Sequence, residues 1–377
     1  MWKNGWMRWA RRVVRCTASS DSLRASLSIR NTHRANVLTL CQPKEPFVHP
    51  IIATSRRILS EATAVSLTLF KIMIPILLVV RVIQELGWIE YAAAPLGPIM
   101  TFVGLPPAMG LVWATAMVNN IYGGMLVFVS LAAQYPMTQA QVTVLATMIL
   151  VAHSLPVELE VVRRAGARLL FQLGLRVGGA IALGWILDRV YAAGGWLQRP
   201  NVLLWNPAPA DPTWLGWGLA QLKNLGLIFL IILGLVVLMR VLSRLGITDL
   251  CIRLLAPVLR MLGIGREAGT LTIVGMIMGL SYGGGLIMHE VGTGRVRPRD
   301  VFFSLSLMGL AHSVIEDTFL LAMIGGHVSG LLWGRVLFAL VVMAVLVKLM
   351  AGVSEEWFRA RLYWMTMPES GKEVGDG

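Results

Sequence analysis

The stretch "MVNNIYGGMLVF", residues 117–128, sets two asparagines, a tyrosine and a glycine pair inside an otherwise apolar run. A near copy, "GLSYGGGLIMHE", occupies residues 279–290. The bilayer core offers backbone N–H and C=O groups no water. Non-helical backbone therefore survives at that depth only against protein or a water-filled cavity. Glycine permits a turn there, asparagine supplies side-chain hydrogen bonds and tyrosine carries a polar tip. The two segments read as helices broken at membrane depth.

The rest of the chain agrees with a membrane setting. Its 377 residues are 56% hydrophobic and only 14% charged, against roughly 25% charged in a soluble domain. Mean hydropathy is +0.69, and several apolar runs exceed the ~20 residues that span a bilayer. The net charge of +13 comes mostly from residues 1–57, which hold eleven Lys and Arg against Asp21 and Glu45. Residues 1–60 are expected to form a basic, disordered cytoplasmic leader. Nucleic-acid binding is not expected, since no folded reader or aromatic platform accompanies the basic run. Cys16, Cys41 and Cys251 show no metal or redox spacing, and no GxxxxGK[ST] phosphate loop occurs.

Compared with itself, the chain repeats at an offset of 159 residues. Phe70 falls on Phe229, Arg81 on Arg240, Pro98 on Pro257, Gly104 on Gly263 and Gly110 on Gly269. One inserted residue carries Tyr122-Gly123-Gly124 onto Tyr282-Gly283-Gly284. The register then returns, with Ala152-His153-Ser154 on Ala311-His312-Ser313, Glu158 on Asp317, Gly166 on Gly325 and Arg176 on Arg335. Chance apolar similarity would match Leu and Val, not this string of Gly, Pro, Arg, His and acids.

Each unit begins with a long span (62–87, 219–245) and a short interfacial segment (91–104, 250–263). The glycine-broken segment follows (106–133, 266–292), and then two further spans (139–164 with 168–192, and 300–325 with 330–352). Arg and Lys favour cytoplasmic loops. Residues 88–105 and 134–138 carry none, whereas Arg163, Arg164, Arg168, Arg244, Arg253, Arg260, Arg295, Arg297 and Arg299 mark the intervening loops as inside. That pattern holds if each glycine-broken segment enters and leaves on one face. The expected fold is thus an all-α polytopic membrane protein of two inverted repeats. Each repeat has three spans and a re-entrant hairpin. The boundaries are a leader 1–60, repeats 61–193 and 219–353, an outer Trp-rich loop 194–218 and a cytoplasmic tail 354–377.

The polar residues within the spans are the candidate site. An ionisable side chain at mid-membrane costs about 2.5–3.5 kcal/mol and usually faces a cavity or a partner. "AHSLPVELEVVRR" (152–164) and "AHSVIEDTFLL" (311–321) supply His153, Ser154, Glu158, Glu160, His312, Ser313, Glu316 and Asp317. These could carry an ion or proton. Glu158 with Arg176 and Asp317 with Arg335, each eighteen residues apart across a helical hairpin, could instead be structural ion pairs. A divalent site of His289, Glu290, His312 and Glu316 is a third reading, and no metal set or cofactor is adopted. Catalysis is not expected, since no HExxH or GxSxG occurs and neighbouring Ser and His do not make a nucleophile and base.

On the glycine-rich turns at 119–124 and 281–285 and the two AHS spans, the chain is similar to the nucleoside-recognition, or gate-domain, membrane protein family. That family includes the gate portions of ferrous-iron transporters and the spore maturation proteins A and B. The repeat also resembles the transport half of concentrative nucleoside transporters. The resemblance covers residues 62–352 and implies that Asn119, Asn120, Tyr122, Gly123, Gly124, Ser281, Tyr282, Gly283 and Gly284 line a solute site. The polar groups of the AHS spans would form its wall. It implies secondary transport or gating of a small polar solute, with nucleosides among the candidates, and a coupling cation as a candidate partner beside the solute and the lipid bilayer. The alternative is a non-transporting subunit or scaffold working with a partner protein. A homo-oligomer or a second membrane subunit fits either, in the inner (cytoplasmic) membrane with both termini cytoplasmic.

Overall fold

A computed structural model describes residues 50–203, 213–280, 287 and 296–364. Among these residues every regular element is a helix, joined only by the isolated bridges Thr138–Pro200 and Ala167–Tyr363. The chain opens with α1 (Pro50–Glu85), followed by α2 (Ile89–Ala93) and α3 (Gly97–Phe102). A helical hairpin comes next, α4 (Met109–Val118) and α5 (Ile121–Leu131). Then α6 (Gln139–Val151) and α7 (Leu155–Arg164) form one interrupted rod, and α8 (Leu169–Gly194) returns beside it.

The second half runs through α9 (Trp214–Arg244), α10 (Ile247–Met261) and α11 (Arg266–Met278). A second interrupted rod, α12 (Pro298–Leu310) and α13 (Glu316–Ala322), precedes a π turn (Ser329–Gly334) that continues into α14 (Arg335–Ala351). A short α15 (Glu355–Arg361) closes the described chain.

Four of these helices are long and apolar enough to cross a bilayer, counting Gln139–Arg164 as one rod. That rod is the centre: 83% of its apolar window is buried, against 24–33% for Leu169–Gly194, Trp214–Leu242 and Ser329–Ala351. The outer helices show why. On the last of them, Trp333, Leu337, Val341, Val345 and Leu349 recur every four residues, all at least 53% exposed, while Arg335, Ala339, Met343 and Leu346 are buried. Such a stripe would be a liability in water and is the natural lipid face of a membrane helix. The protein is an all-α membrane protein.

Hydrogen bonds fix which helix ends lie together. At one end Gln139 donates to Gly325 O (3.3 Å), Gln141 to Gly104 O (3.0 Å) and Asn201 to Ile324 O (2.9 Å). At the other, Arg168 N donates to Leu362 O (2.9 Å) and Arg299 pairs with Glu355 (2.8 Å). The rod α6–α7 starts at the first end and α12–α13 at the second, so the two run in opposite directions. Residues 159 apart also share unusual backbone: Gly87 with Gly246 (φ 67° and 72°), Gly104 with Gly263 (75° and 73°) and Gly166 with Gly325 (94° and 102°).

Several boundaries differ from the sequence expectation. The first helix begins at Pro50, inside the stretch assigned to a disordered leader. Proline suits the first turn of a helix, and the helix runs on through Pro75 to Glu85, just before Gly87 with its positive φ. Trp214 and Trp217 belong to α9 and not to a loop. The tail as far as Trp364 is packed: Phe358 and Tyr363 are fully buried, and Trp364 N donates to Gly166 O (2.9 Å). The remaining expectations for residues 1–49, 204–212 and 365–377 lie outside the described residues.

Candidate functional site

The asparagines and glycines of the opening stretch divide their work at the hairpin tip. Asn119 ends α4, and Asn120 caps α5 by accepting from Gly123 N at 2.9 Å while donating to Asn119 Oδ1 at 3.1 Å. This satisfies a donor that a helix start would otherwise leave orphaned. A Cβ on Gly124 would sit 2.8 Å from the Ala116 Cβ, so glycine is what lets the two arms approach. Asn119 Nδ2 is buried without a hydrogen-bond partner among the described residues. Tyr122 lies within electrostatic reach of Glu316 and Asp317.

The tip is pinned to the break in the central rod, where Ser154 N donates to Ala116 O at 3.0 Å. Ser154 itself is left-handed (φ 48°, ψ 31°), and Pro156 follows in the first turn of α7. Proline cannot donate to the carbonyl four residues back, so Pro156 is compatible with the first break. The second rod has no proline yet breaks alike, with Ser313 at φ 44° and Val314 N donating to Met276 O at 2.9 Å. Proline is therefore not what holds these breaks.

Arginine holds them. A helix end leaves carbonyls without partners, and a cation there is favoured by the helix dipole. Arg176 on α8 donates from Nε to Val151 O (2.9 Å) and from Nη2 to His153 O (3.0 Å). Arg335 on α14 makes the same two bonds in the second copy, to Leu310 O (3.1 Å) and His312 O (2.6 Å). The copies differ in the third bond. Arg176 Nη1 pairs with Glu158 Oε2, whereas Arg335 Nη1 and Asp317 Oδ2 are both buried without a hydrogen-bond partner among the described residues. The expected Asp317–Arg335 pair is thus not made among the described residues.

Both breaks present their histidines to each other. His153 Nε2 lies 3.2 Å from His312 Nε2, and Glu158 Oε1 lies 3.4 and 3.3 Å from these two nitrogens. Each Nδ1 faces a carbonyl four residues back, Ile149 O at 3.0 Å and Met308 O at 2.7 Å. A carbonyl can only accept, so Nδ1 carries the proton and Nε2 keeps its lone pair in the neutral ring. His153, Glu158, His312, Asp317, Arg176 and Arg335 are all at most 8% exposed.

The remaining candidates scatter. Glu160 turns away from the cluster and pairs with Arg163 and Arg164, both at 2.8 Å. Glu316 starts α13 and is half-buried. Ser281, Tyr282, Gly283 and Gly284, with His289 and Glu290, lie outside the described residues. Sequence reasoning missed the histidine contact, although its signal was present: residues that coincide under the repeat can meet at an axis relating the copies. It also missed Gln172, which donates to Ser306 Oγ at 2.8 Å beside Arg176. A groove lined by Leu259, Arg260, Ile264 and Gly269 shares no residue with the cluster.

The fold and buried polar cluster define a helical membrane protein with interrupted central rods. The chain is 26% identical over 273 residues to the uncharacterized membrane protein YvoD of Bacillus subtilis (strain 168), an alignment covering 71% of this chain and 86% of that protein. No family model matches the chain, and no solved structure matches it.

Proposed function

We propose that the protein is an inner-membrane transporter or gate for a small polar solute, built from two inverted repeats, with both termini cytoplasmic. The observation that carries this is the meeting of two oppositely directed, interrupted rods at a buried polar cluster, His153, Glu158, His312 and Asp317. A purely structural rod has no need of broken helices at mid-depth. Half-helix ends aimed at a midplane site are how inverted-repeat transporters hold ions and solutes. The first hairpin supports the same arrangement, because its tip reaches the break through Ser154 N and Ala116 O. Basic residues support the orientation: Arg163, Arg164, Arg168, Arg297, Arg299, Arg359 and Arg361 cluster toward the end that includes α15.

In this reading the chain is not an enzyme, and Asn119, Asn120 and Tyr122 face the solute. Nucleosides are the first class to screen, on the resemblance to gate-domain proteins. The test is a thermal-shift screen of the purified protein in detergent against nucleosides, nucleobases and sodium, with an Asn119→Ala variant alongside. Binding raises stability by RT ln(1 + [L]/Kd), about 2.7 kcal/mol at 100-fold over Kd. A solute that shifts the wild type and not the variant supports the reading. Uptake of that solute into proteoliposomes completes the test, and silence in both measurements would refute the solute site.

A further inference from the structure

We infer that His153, His312, Glu158 and Asp317 form a four-coordinate site for a divalent transition cation of the zinc class. With both rings neutral and each Nδ1–H given to its carbonyl, three lone-pair donors converge here with no hydrogen between them: His153 Nε2, His312 Nε2 and Glu158 Oε1. Left alone, such a trio repels, and a cation at its centre turns the repulsion into binding. The choice between a proton and a metal follows from size. The triangle's sides are 3.2, 3.3 and 3.4 Å. Charge-assisted hydrogen bonds run to only about 2.7–2.9 Å, and a proton bridges two atoms, not three. Four ligands at 2.0–2.1 Å around a tetrahedral zinc stand about 3.3 Å apart. The observed triangle is one face of that tetrahedron.

Asp317 supplies the fourth corner. One of its carboxylate oxygens lies within 4.8 Å of a ring nitrogen of each histidine, and its Oδ2 is buried without a hydrogen-bond partner among the described residues. The surroundings match those of a metal site as well. Ligating histidines characteristically donate their other ring N–H to a carbonyl or carboxylate, which fixes the tautomer. Both do so here, to Ile149 O and Met308 O. Glu158 is oriented likewise: Arg176 holds Oε2, leaving Oε1 for the centre. Two imidazoles with carboxylates select a zinc-like ion over magnesium or calcium, which take oxygen ligands.

The site joins α6–α7 to α12–α13, so the ion would clamp the two central rods at their breaks. The inference does not rest on transport: a protein that binds the ion and ignores every solute retains it.

The test uses the full chain, purified in detergent through a tag without histidine, stripped with a chelator and titrated with Co2+. The expected result is the intense visible absorption of four-coordinate Co2+, saturating at one ion per chain and displaced by Zn2+. His153→Gln and His312→Gln should each abolish it. Where either variant fails to fold, X-ray absorption of the Zn2+-loaded wild type decides, since two imidazoles and carboxylate oxygens give a distinct ligand shell. Absence of Co2+ uptake, a six-coordinate spectrum, an intense spectrum that survives in both histidine variants, or a zinc shell without two imidazoles would each overturn the site. Failure of the solute screen leaves this result untouched, and the converse holds too.

Discussion

His153 and His312, 159 residues apart, meet with their Nε2 atoms at 3.2 Å. Residues that match under a repeat touch only where the copies come together, so this contact locates the axis of the proposed two-fold. Around it, Arg176 and Arg335 bond matching carbonyls, and Ser154 and Ser313 adopt matching left-handed backbone. The match fails at the acids: Glu158 reaches its arginine and Asp317 does not.

That asymmetry predicts unequal costs. Removing one partner of a buried ion pair destabilises by about 3–5 kcal/mol, because the other charge remains buried and unpaired. Glu158→Leu should show a loss of that size in detergent, measured with chelator present so that no bound ion contributes. Asp317→Leu should cost clearly less, since Arg335 already relies on the carbonyls of Leu310 and His312. Equal losses would mean that the two acids carry equivalent pairs.

At the hairpin tip, Gly124→Ala brings a methyl to 2.8 Å from the Ala116 Cβ. Overpacking of that kind costs about 1–3 kcal/mol. Gly123→Ala should cost less, because its Cβ meets the movable Asn119 side chain. Gly178→Ala in α8, with nothing within 4 Å of the added carbon, should be neutral or gain up to about 1 kcal/mol in helix propensity. Thermal unfolding of the three variants orders them.

Much of this architecture was legible in the residues themselves. Hydropathy marks the long apolar helices, and the matching Gly-Pro-Arg-His pattern pairs residues such as His153 and His312 that meet in the fold. The polar contacts were less legible. An eighteen-residue spacing can place Asp317 near Arg335, yet it cannot say that the guanidinium is already taken by carbonyls of a broken helix. Glu160 looked equivalent to its neighbours in sequence, but its place on α7 turns it toward Arg163 and Arg164. The early start of α9 at Trp214 was obscured because tryptophan suits both a membrane-interface loop and a helix end.

The left-handed serines give a third prediction. A residue with a Cβ is strained there by roughly 1–2 kcal/mol, and glycine is not. Ser154→Gly and Ser313→Gly should therefore leave stability unchanged or raise it by up to about 1 kcal/mol. Ser154→Val should lower it, because branching at Cβ worsens the strain at φ 48°. Equal melting of the glycine and valine variants would show that the break is not left-handed in solution.

The orientation can be read by labelling. Gln134 and Glu356 are exposed and lie toward opposite ends: Gln134 precedes the start of α6, and Glu356 sits on α15 beside the Arg299 contact. In a chain whose Cys16, Cys41 and Cys251 are replaced by serine, cysteines at these two positions should report opposite sides. A membrane-impermeant maleimide should modify Gln134→Cys in intact cells, and Glu356→Cys only after the membrane is opened. The arginines near Glu356 set this expectation, since Arg163, Arg164, Arg168 and Arg299 resist translocation. Labelling in the reverse order would invert the orientation and leave the opposed rods intact. Labelling of both positions from one side would refute the crossing itself, because α6 and α7 would then not carry the chain from one face to the other.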